Sequence, residues 1–285
     1  MAGTLLTTGT PSGTALRVAT VRAAHRLLDD PIVFDDPLAL AILGPETEAA
    51  MRADPYRYND QISRGLRASL IVRSRVAEDE LARAVAAGVR QYVVLGAGLD
   101  TFAYRNSFAG LRVFEIDHPA TQAWKRDCLA QAGIAVPDGL TFAPVDFEEG
   151  ATLADGLAAA GFDRAAPACF SWLGVTMYLA EETVFDTLSW LAGSAPGSSV
   201  VFDFRVPLDQ LNPVERAVTE MIMQRVAELG EPWISAFDPE ALRVRLLELG
   251  FTRAEALLPD ALNRRYLFQR KDGLSTRARI MCAWR

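Results

Sequence analysis

The most chemically suggestive feature of the sequence is a glycine turn that directly follows a short apolar run. Residues Tyr92 to Leu95 predict a buried parallel strand, which ends at Gly96-Ala97-Gly98. Because glycine has no Cβ atom, the backbone at Gly96 and Gly98 can adopt positive φ and approach a ligand closely. Open α/β sheets bind their ligands at this end of the strands. The turn therefore indicates either a nucleotide or nucleoside site or a purely structural turn.

An acidic residue at the end of the next predicted strand narrows the ligand class. Val113 to Ile116 predict this strand, and Asp117 follows it, 21 positions after Gly96. A carboxylate there can accept hydrogen bonds from ribose hydroxyls, whereas a dinucleotide site would also have a glycine where this chain has Thr101. The two features favour a nucleoside without a pyrophosphate, of which S-adenosylmethionine is the obvious member. A nicotinamide-dependent oxidoreductase is the weaker alternative.

Composition and charge narrow the class of protein. The chain has 285 residues, of which 50% are hydrophobic, and this is enough for one large α/β domain. A net charge of −7 and the absence of a Lys/Arg run argue against a nucleic-acid partner and favour a small molecule or a protein. Three cysteines without CxxC spacing and only two histidines argue against a disulfide framework and a metal site. No apolar run reaches the ~20 residues of a membrane span, and we expect a cytoplasmic protein.

The first 88 residues predict a helical cap or lid ahead of the glycine turn. Apolar residues recur at helical spacing from Thr14 to Leu28, which indicates an amphipathic helix. Asp35-Asp36-Pro37 predicts a turn into a short second helix that ends at Gly44-Pro45. A longer helix is predicted from about Asn59 to Ala87.

Residues 89–285 alternate between predicted strands and helices, which is the pattern of a doubly wound sheet. A helical insert is predicted at about 205–235, and the chain is expected to form one compact unit. Phe251–Leu257 and Arg265–Arg270 predict a final antiparallel pair of strands. Besides those two and the two strands at the glycine turn, strands are predicted at Leu140–Pro144, Ala168–Trp172 and Ser199–Phe204.

Taken in order, these elements resemble the leucine carboxyl methyltransferase family of S-adenosylmethionine-dependent methyltransferases, and more closely its bacterial branch, which includes polyketide O-methyltransferases. The resemblance spans almost the whole chain. It implies an α/β fold of class I methyltransferase type, with a Rossmann-like, seven-stranded, mostly parallel sheet, one antiparallel strand and an N-terminal helical cap. The matching motifs are TALRVATVRAAH, DDPLALAILG, VRSR, VVLGAGLDTFAYR, FEIDHPATQAWK, VDFEEG, FSWLGVTMYL and GF…RRYLFQRKDGL.

The resemblance implies S-adenosyl-L-methionine as the cofactor and S-adenosyl-L-homocysteine as the product. Arg73 matches the arginine that binds the methionyl carboxylate, a group that a guanidinium can hold in bidentate geometry. Asp117 matches the acid that binds the ribose, and Asp146 with Phe147 matches the pair that meets the adenine. The remaining implied cofactor contacts are Gly96, Ala97, Gly98, His118 and Leu173.

Leu173 is a departure from the family pattern. Members that methylate a protein phosphatase carry a glutamate at this position, near the end of the fourth strand. The resemblance therefore implies an O-methyltransferase that acts on a carboxylate or hydroxyl of a small molecule, such as a natural product. The alternatives are carboxyl methylation of a protein C-terminus and a non-catalytic, cofactor-binding regulatory protein.

Three residues are candidates for binding or activating the methyl acceptor. Tyr178, just beyond the fourth predicted strand, can orient an acceptor through its hydroxyl, and Arg22 can attract an anionic one. His25 is the candidate general base, with a structural role in the predicted helix as the alternative. Because a carboxylate is already ionised at neutral pH and needs no base, the scarcity of histidines favours a carboxylate acceptor.

Overall fold

The computed structural model describes residues 13–145 and 152–285, which form a seven-stranded sheet covered by helices on both faces. The strands are β1 (Gln91–Leu95), β2 (Arg112–Asp117), β3 (Leu140–Pro144), β4 (Cys169–Trp172), β5 (Ser199–Asp203), β6 (Arg253–Leu257) and β7 (Ile280–Trp284). Their spatial order is β3-β2-β1-β4-β5-β7-β6. The first five strands pair in parallel, and β7 runs antiparallel to both β5 and β6. This confirms the predicted class I methyltransferase sheet.

The helices lie on both sides of the sheet and at its N-terminal cap. They are α1 (Gly13–Leu28), α2 (Pro45–Ala53), α3 (Gln61–Ala86), α4 (Phe102–Arg105), α5 (Pro119–Gln131), α6 (Leu153–Ala159), α7 (Glu181–Ala192), α8 (Pro213–Glu228), α9 (Pro239–Leu249) and α10 (Pro259–Leu262). Side chains of β5 alternate between the two faces, as the pleat of a strand requires. Phe202 packs in a core with α6, α7 and α9, whereas Val201 packs with Val72 and Val76 of α3.

The long helix α3 joins the cap to the sheet. It begins where the Asp60 side chain accepts hydrogen bonds from the backbone N–H groups of Ile62 and Ser63, at 3.0 and 3.1 Å. Farther along, its buried face supplies Ile71, Val72 and Val76 to the core against β5 and β7. Polar residues on the central turns of α3 therefore lie near the end of the sheet where β4 and β5 finish.

A buried carboxylate ties the cap to the C-terminal segment. Asp29, which follows α1, accepts hydrogen bonds from His25 Nδ1 at 2.6 Å, Arg67 Nε at 2.7 Å and Arg270 Nη2 at 2.9 Å. None of these side chains is more than 2% exposed. Burial raises the pKa of Asp29, but the bonds from His25 and Arg67 outweigh it, so the pKa lies below its ordinary value of 3.8.

Two predicted elements differ from the structure. The strand predicted at Arg265–Arg270 is wrong, because Asn263–Leu267 forms a π-helical turn and the final strand is β7. Its charged residues serve other contacts, as Arg270 does at Asp29. The short helix predicted before Gly44 is reduced to a 3-10 turn at Ala41–Leu43, and α2 begins at Pro45, where proline is favoured at the first helical position.

None of the helices in residues 13–145 and 152–285 is both long enough and apolar enough to cross a membrane. The other predicted strands agree with the observed ones to within two residues at each end.

The Asp29 network gives a prediction for stability. Replacing Asp29 with Asn leaves Arg67 buried without its counter-charge and Arg270 with Asp272 alone, and breaking such a buried pair costs about 3–5 kcal/mol of the free energy of unfolding. Urea unfolding at neutral pH measures the change. Asp35→Asn is the matched control, because Asp35 pairs with Arg26 at the surface, and such pairs contribute about 0–1 kcal/mol. Equal losses in the two variants would contradict the assigned role.

The same carboxylate predicts a pH dependence. Because the pKa of Asp29 in the folded protein lies below its unfolded value of 3.8, its stabilisation is fully present above that value and is lost as the pH falls through the folded pKa. The difference in unfolding free energy between the parent and Asp29→Asn should therefore persist down to about pH 5 and shrink below about pH 4. Urea titrations at a series of pH values measure it, and a difference that is unchanged at about pH 3 would contradict the prediction.

Candidate functional site

A cavity of about 420 Å³ opens at the carboxyl ends of β1 and β4. These two strands are neighbours at the point where the strand order reverses, which is the usual ligand position in an open α/β sheet. Residues of α1, α3 and the segment after α8 also contribute to its wall. The cavity is thus shared between the sheet, the cap and the insert.

The glycine turn forms one wall and has the conformation that its sequence predicts. Gly96 and Gly98 have φ values of 70° and 46°, which only glycine adopts without strain. A Cβ atom on Gly96 would lie 2.4 Å from Val175 Cγ2, so the turn packs closely against the loop after β4. The backbone N–H groups of Gly96 and Ala97 donate to the carbonyl of Ile116, at 2.9 and 3.1 Å. The turn is therefore held against β2.

Asp117 lines the cavity beside this turn. Its two carboxylate oxygens accept hydrogen bonds from the backbone N–H groups of Gly98 at 2.6 Å and His118 at 2.8 Å. Burial raises the pKa of Asp117, and these two bonds oppose the increase. His118 also lines the cavity and caps α5, since its Nδ1 accepts from the Ala120 N–H at 3.1 Å. Asp117 therefore both orders the glycine turn and presents a carboxylate to a ligand.

Arg73 faces the same cavity from α3 on the far side of the turn. Its Nη1 donates to Asp203 Oδ2 at 2.7 Å, and Asp203 Oδ1 accepts from the Gly174 N–H at 2.6 Å. Gly174 has a φ of 74°, and a Cβ atom there would lie 2.7 Å from Arg73 Nη2. The guanidinium thus rests in a cradle that a side chain would fill. Leu173 precedes this cradle and lines the cavity.

These features fit S-adenosylmethionine. A guanidinium is placed for a carboxylate, an acid at the end of β2 is placed for a ribose, and a turn of small residues allows close approach between them. Asp146 and Phe147, the predicted adenine contacts, lie outside the described residues; their neighbour Val145 lines the cavity. Within the described part of the chain, no group of three or more His, Cys, Asp or Glu residues is placed to hold a metal ion.

Tyr178 also lines the cavity. This residue lies in the 3-10 turn Thr176–Tyr178 after β4, and its ring packs edge-on against Trp233 at a centroid distance of 6.5 Å. Burial raises the pKa of Tyr178, although contacts with Trp233 and Thr14 partly offset the increase. The hydroxyl therefore stays protonated at neutral pH and is available as a hydrogen-bond donor.

Arg22 lines the cavity, but its guanidinium already contacts other groups of the protein. It donates to the Leu99 carbonyl in the glycine loop and lies 3.5 Å from the carboxylates of both Asp36 and Asp100. Only 3% of its side chain is exposed. The observed contacts therefore place Arg22 between the cap and the glycine loop, with its charge balanced by two acids.

His25 is not among the described residues that line the cavity. Its Nε2 accepts hydrogen bonds from the backbone N–H groups of Val33 and Phe34, at 3.1 and 3.2 Å, so Nδ1 must carry the proton that is donated to Asp29. Both ring nitrogens are used and the side chain is fully buried. The structure thus brings together the other described candidates but places His25 in the packing of the cap.

Asp203, Glu78 and Glu231 were not predicted from the sequence. Asp203 supports Arg73 and is the last residue of β5, as Asp117 is of β2, so the same rule of an acid at a strand end could have found it. Glu78 lines the cavity and accepts two hydrogen bonds from Arg105, and burial raises the pKa of Glu78 against the effect of that pair. Glu231 lies in the predicted insert, where no motif marks it.

Solved structures share this fold. A structure from Thermobifida fusca, provisionally named a methyltransferase, aligns with a TM-score of 0.59 over 98% of this chain and 97% of its own, at 19% identity. A DUF574 family protein from Streptomyces avermitilis aligns with a TM-score of 0.54 over 93% of this chain and 97% of its own, at 15% identity. At these identities the similarity concerns the fold alone.

Relatives with similar sequences identify the family, which the solved structures do not. A Bacillus subtilis protein, YktD, is 32% identical over 92% of this chain and 93% of its own length. A Frankia alni protein is 38% identical over 66% of this chain and 68% of its own. Both are provisionally named S-adenosyl-L-methionine-dependent methyltransferases. The family model described as leucine carboxyl methyltransferase matches residues 15–192, more than half of the chain. The chain therefore belongs to the leucine carboxyl methyltransferase family of S-adenosylmethionine-dependent methyltransferases.

Proposed function

We propose that this methyltransferase is an O-methyltransferase whose acceptor is a carboxylate or hydroxyl of a small molecule. The observation that carries the proposal is the continuity of the cavity from Arg73 and Asp117 to Tyr178. One cavity thus offers groups suited to the cofactor and a hydroxyl donor suited to an oxygen nucleophile. When bound, S-adenosylmethionine supplies a methyl group on a sulfonium sulfur and leaves as a neutral thioether.

The residues of the chain act by binding and orientation. Arg73, fixed by Asp203 and Gly174, binds the cofactor carboxylate, and Asp117 accepts from the ribose hydroxyls. Methyl transfer needs the nucleophile in line and about 3–3.5 Å from the methyl carbon, so positioning supplies much of the rate. Tyr178 orients the acceptor oxygen from the turn after β4.

The covering of the cavity supports a small acceptor. A hydrogen bond from Thr14 Oγ1 of α1 to Glu231 joins the cap to the segment after α8, and both residues line the cavity. A protein tail would have to pass this bridge. Carboxyl methylation of a protein C-terminus is therefore the second candidate, and the departure at Leu173 also weighs against it.

Two measurements test the proposal. Calorimetry should detect binding of S-adenosylhomocysteine, and a labelled methyl group should pass from S-adenosylmethionine to members of a panel of phenols, alcohols and carboxylic acids. Binding without transfer to any acceptor would favour the non-catalytic, regulatory alternative. Transfer only to a protein or peptide would overturn the small-molecule assignment.

Arg73→Ala should weaken S-adenosylhomocysteine binding by about 10–100-fold, because a hydrogen bond to a charged group contributes about 1.5–3 kcal/mol. Arg75→Ala is the matched control, since Arg75 lies two residues along the same helix and pairs with Asp79 at the surface. Calorimetry on both folded variants measures the effect. Equal affinities would remove Arg73 from the cofactor site.

Asp117→Ala should also weaken S-adenosylhomocysteine binding, by at least about tenfold, because it removes the ribose acceptor and frees the Gly98 N–H of the turn. Asp127→Ala, at an exposed position of α5, should leave the affinity unchanged. Titration of adenosine separates the two parts of the ligand: Asp117→Ala should weaken adenosine binding, whereas Arg73→Ala should not. The reverse pattern would show that the two roles are exchanged.

A further inference from the structure

Glu231 is a buried carboxylate that the cofactor does not require. It is 8% exposed, lines the cavity and accepts a hydrogen bond from Thr14 Oγ1. Tyr178 lines the same cavity and contacts Thr14, and the charge of Glu231 contributes to the raised pKa of the Tyr178 hydroxyl. The three side chains therefore meet at one part of the cavity wall.

The end of α8 fixes the position of Glu231. Gly230 has a φ of 80°, and its N–H donates to the Ala227 carbonyl at 3.0 Å, while the Glu231 N–H donates to the Val226 carbonyl at 2.9 Å. These two bonds form the Schellman motif, which needs a residue such as glycine in left-handed conformation. Glu231 is thus set by the geometry of a helix end and not by a loose loop.

The segment that follows is fastened to the turn that carries Tyr178. The N–H groups of Ile234 and Ser235 donate to the Met177 carbonyl at 2.7 and 3.3 Å, and Ser235 Oγ donates to the Thr176 carbonyl at 2.7 Å. Glu231 and Tyr178 therefore keep their relative positions without help from a ligand. Such preorganisation is what a group that takes part in a proton transfer requires.

The charges around the cavity disfavour an anionic acceptor. Among the residues of the wall that the structure describes, Lys and Arg are represented by Arg22 and Arg73; both are paired with carboxylates, and Arg73 is also the group suited to the cofactor. Arg205 stacks on Trp233, with 5.1 Å from its guanidinium carbon to the ring centroid, but is not among the described residues of the wall. A carboxylate acceptor near Tyr178 would face the negative charge of Glu231 in a site of low dielectric.

We propose that Glu231 is the general base of the methyl transfer and that the acceptor is therefore a neutral alcohol or phenol; this rests on the proposed function. A carboxylate oxygen of Glu231 takes the hydroxyl proton while Tyr178 orients the oxygen. The acceptor oxygen forms its bond to the methyl carbon, the carbon–sulfur bond breaks with its electron pair on sulfur, and Glu231 is left protonated. It then loses the proton to solvent.

The test compares Glu231→Gln with Glu228→Gln. Glu228 lies on the last turn of α8, is exposed and pairs with Arg225, so it controls for loss of charge on the helix. Probes are matched pairs of hydroxyls and carboxylates: phenol with benzoate, and 2-naphthol with 2-naphthoate. We expect the parent to methylate hydroxyls in preference to carboxylates, and Glu231→Gln to lower that rate by about 10²–10⁴-fold with Glu228→Gln unchanged.

Two binding measurements do not depend on turnover. S-adenosylhomocysteine should bind Glu231→Gln with the parent's affinity, because Glu231 acts on the acceptor and not on the cofactor. With S-adenosylhomocysteine present, the affinity of 2-naphthoate should be on the order of tenfold higher for Glu231→Gln than for the parent, because a like charge has been removed. The affinity of 2-naphthol should not increase.

Each other outcome overturns the inference. Preferential methylation of carboxylates, a parent-like rate in Glu231→Gln, or loss of S-adenosylhomocysteine binding in that variant would each exclude Glu231 as the base while leaving the proposed function intact. Cofactor binding without transfer to either class would overturn the inference and O-methyl transfer together. If the parent protein does not bind S-adenosylhomocysteine, the assignment of the cofactor site is wrong, and the proposed function fails with it.

Discussion

The pairing of Arg73 with Asp203 is the interaction on which the site depends. A guanidinium on the central turns of α3 would be costly to bury beside the sheet without a counter-charge, and Asp203 at the end of β5 supplies one at 2.7 Å. The Asp203 carboxylate also accepts a hydrogen bond from the Gly174 N–H. The backbone carbonyl of Asp203 accepts one from Thr176 Oγ1 at 2.6 Å. One residue thus connects α3, β5 and the loop after β4, and this loop carries both the arginine cradle and Tyr178.

A second set of buried charges holds the cap against the sheet. Asp36 lies 3.5 Å from Arg22 of α1 and accepts a hydrogen bond from Thr101 in the glycine loop at 2.7 Å, while Asp29 binds the C-terminal Arg270. These contacts are polar and directional, so they define how α1 sits over the cavity more narrowly than apolar packing alone would. Because α1 carries Thr14, its placement also decides where the bridge to Glu231 forms.

The parts of the site that were predictable from the sequence are those built by single strands and their ends. A four-residue apolar run followed by GAG predicts a strand and a ligand turn, and Asp117 follows from the same rule. Arg73 and Leu173 needed the family resemblance, because an arginine on a helix looks like a surface charge until its partner is known. The strand β7 was missed because Ile280–Trp284 is a short apolar run with no turn signal directly before it. The apolar run Tyr266-Leu267-Phe268 within Arg265–Arg270 suggests a strand, but it lies in and next to a π-helical turn.

Glu231 was beyond sequence reasoning for a different reason. Its place depends on the handedness of one glycine after α8 and on backbone bonds to residues 176 and 177, more than 50 positions earlier in the chain. No periodic pattern contains that information. The scarcity of histidines therefore favoured a carboxylate acceptor only because the sequence does not show which acid enters the cavity.

The core holds the residues proposed to bind the cofactor more firmly than those proposed to meet the acceptor. The residues proposed to bind the cofactor lie at the ends of β1, β2 and β4 and on α3, where any shift would disturb the core. Apart from Tyr178, the residues proposed to meet the acceptor belong to α1 and the insert, and α8 buries only Val226. Changes in the insert can therefore alter the base, the size or the charge of the acceptor site at little cost to the fold, whereas the cofactor site tolerates few. We accordingly expect specificity for the acceptor to be determined by residues 213–237 and the start of α1, and specificity for the cofactor to be determined by the sheet.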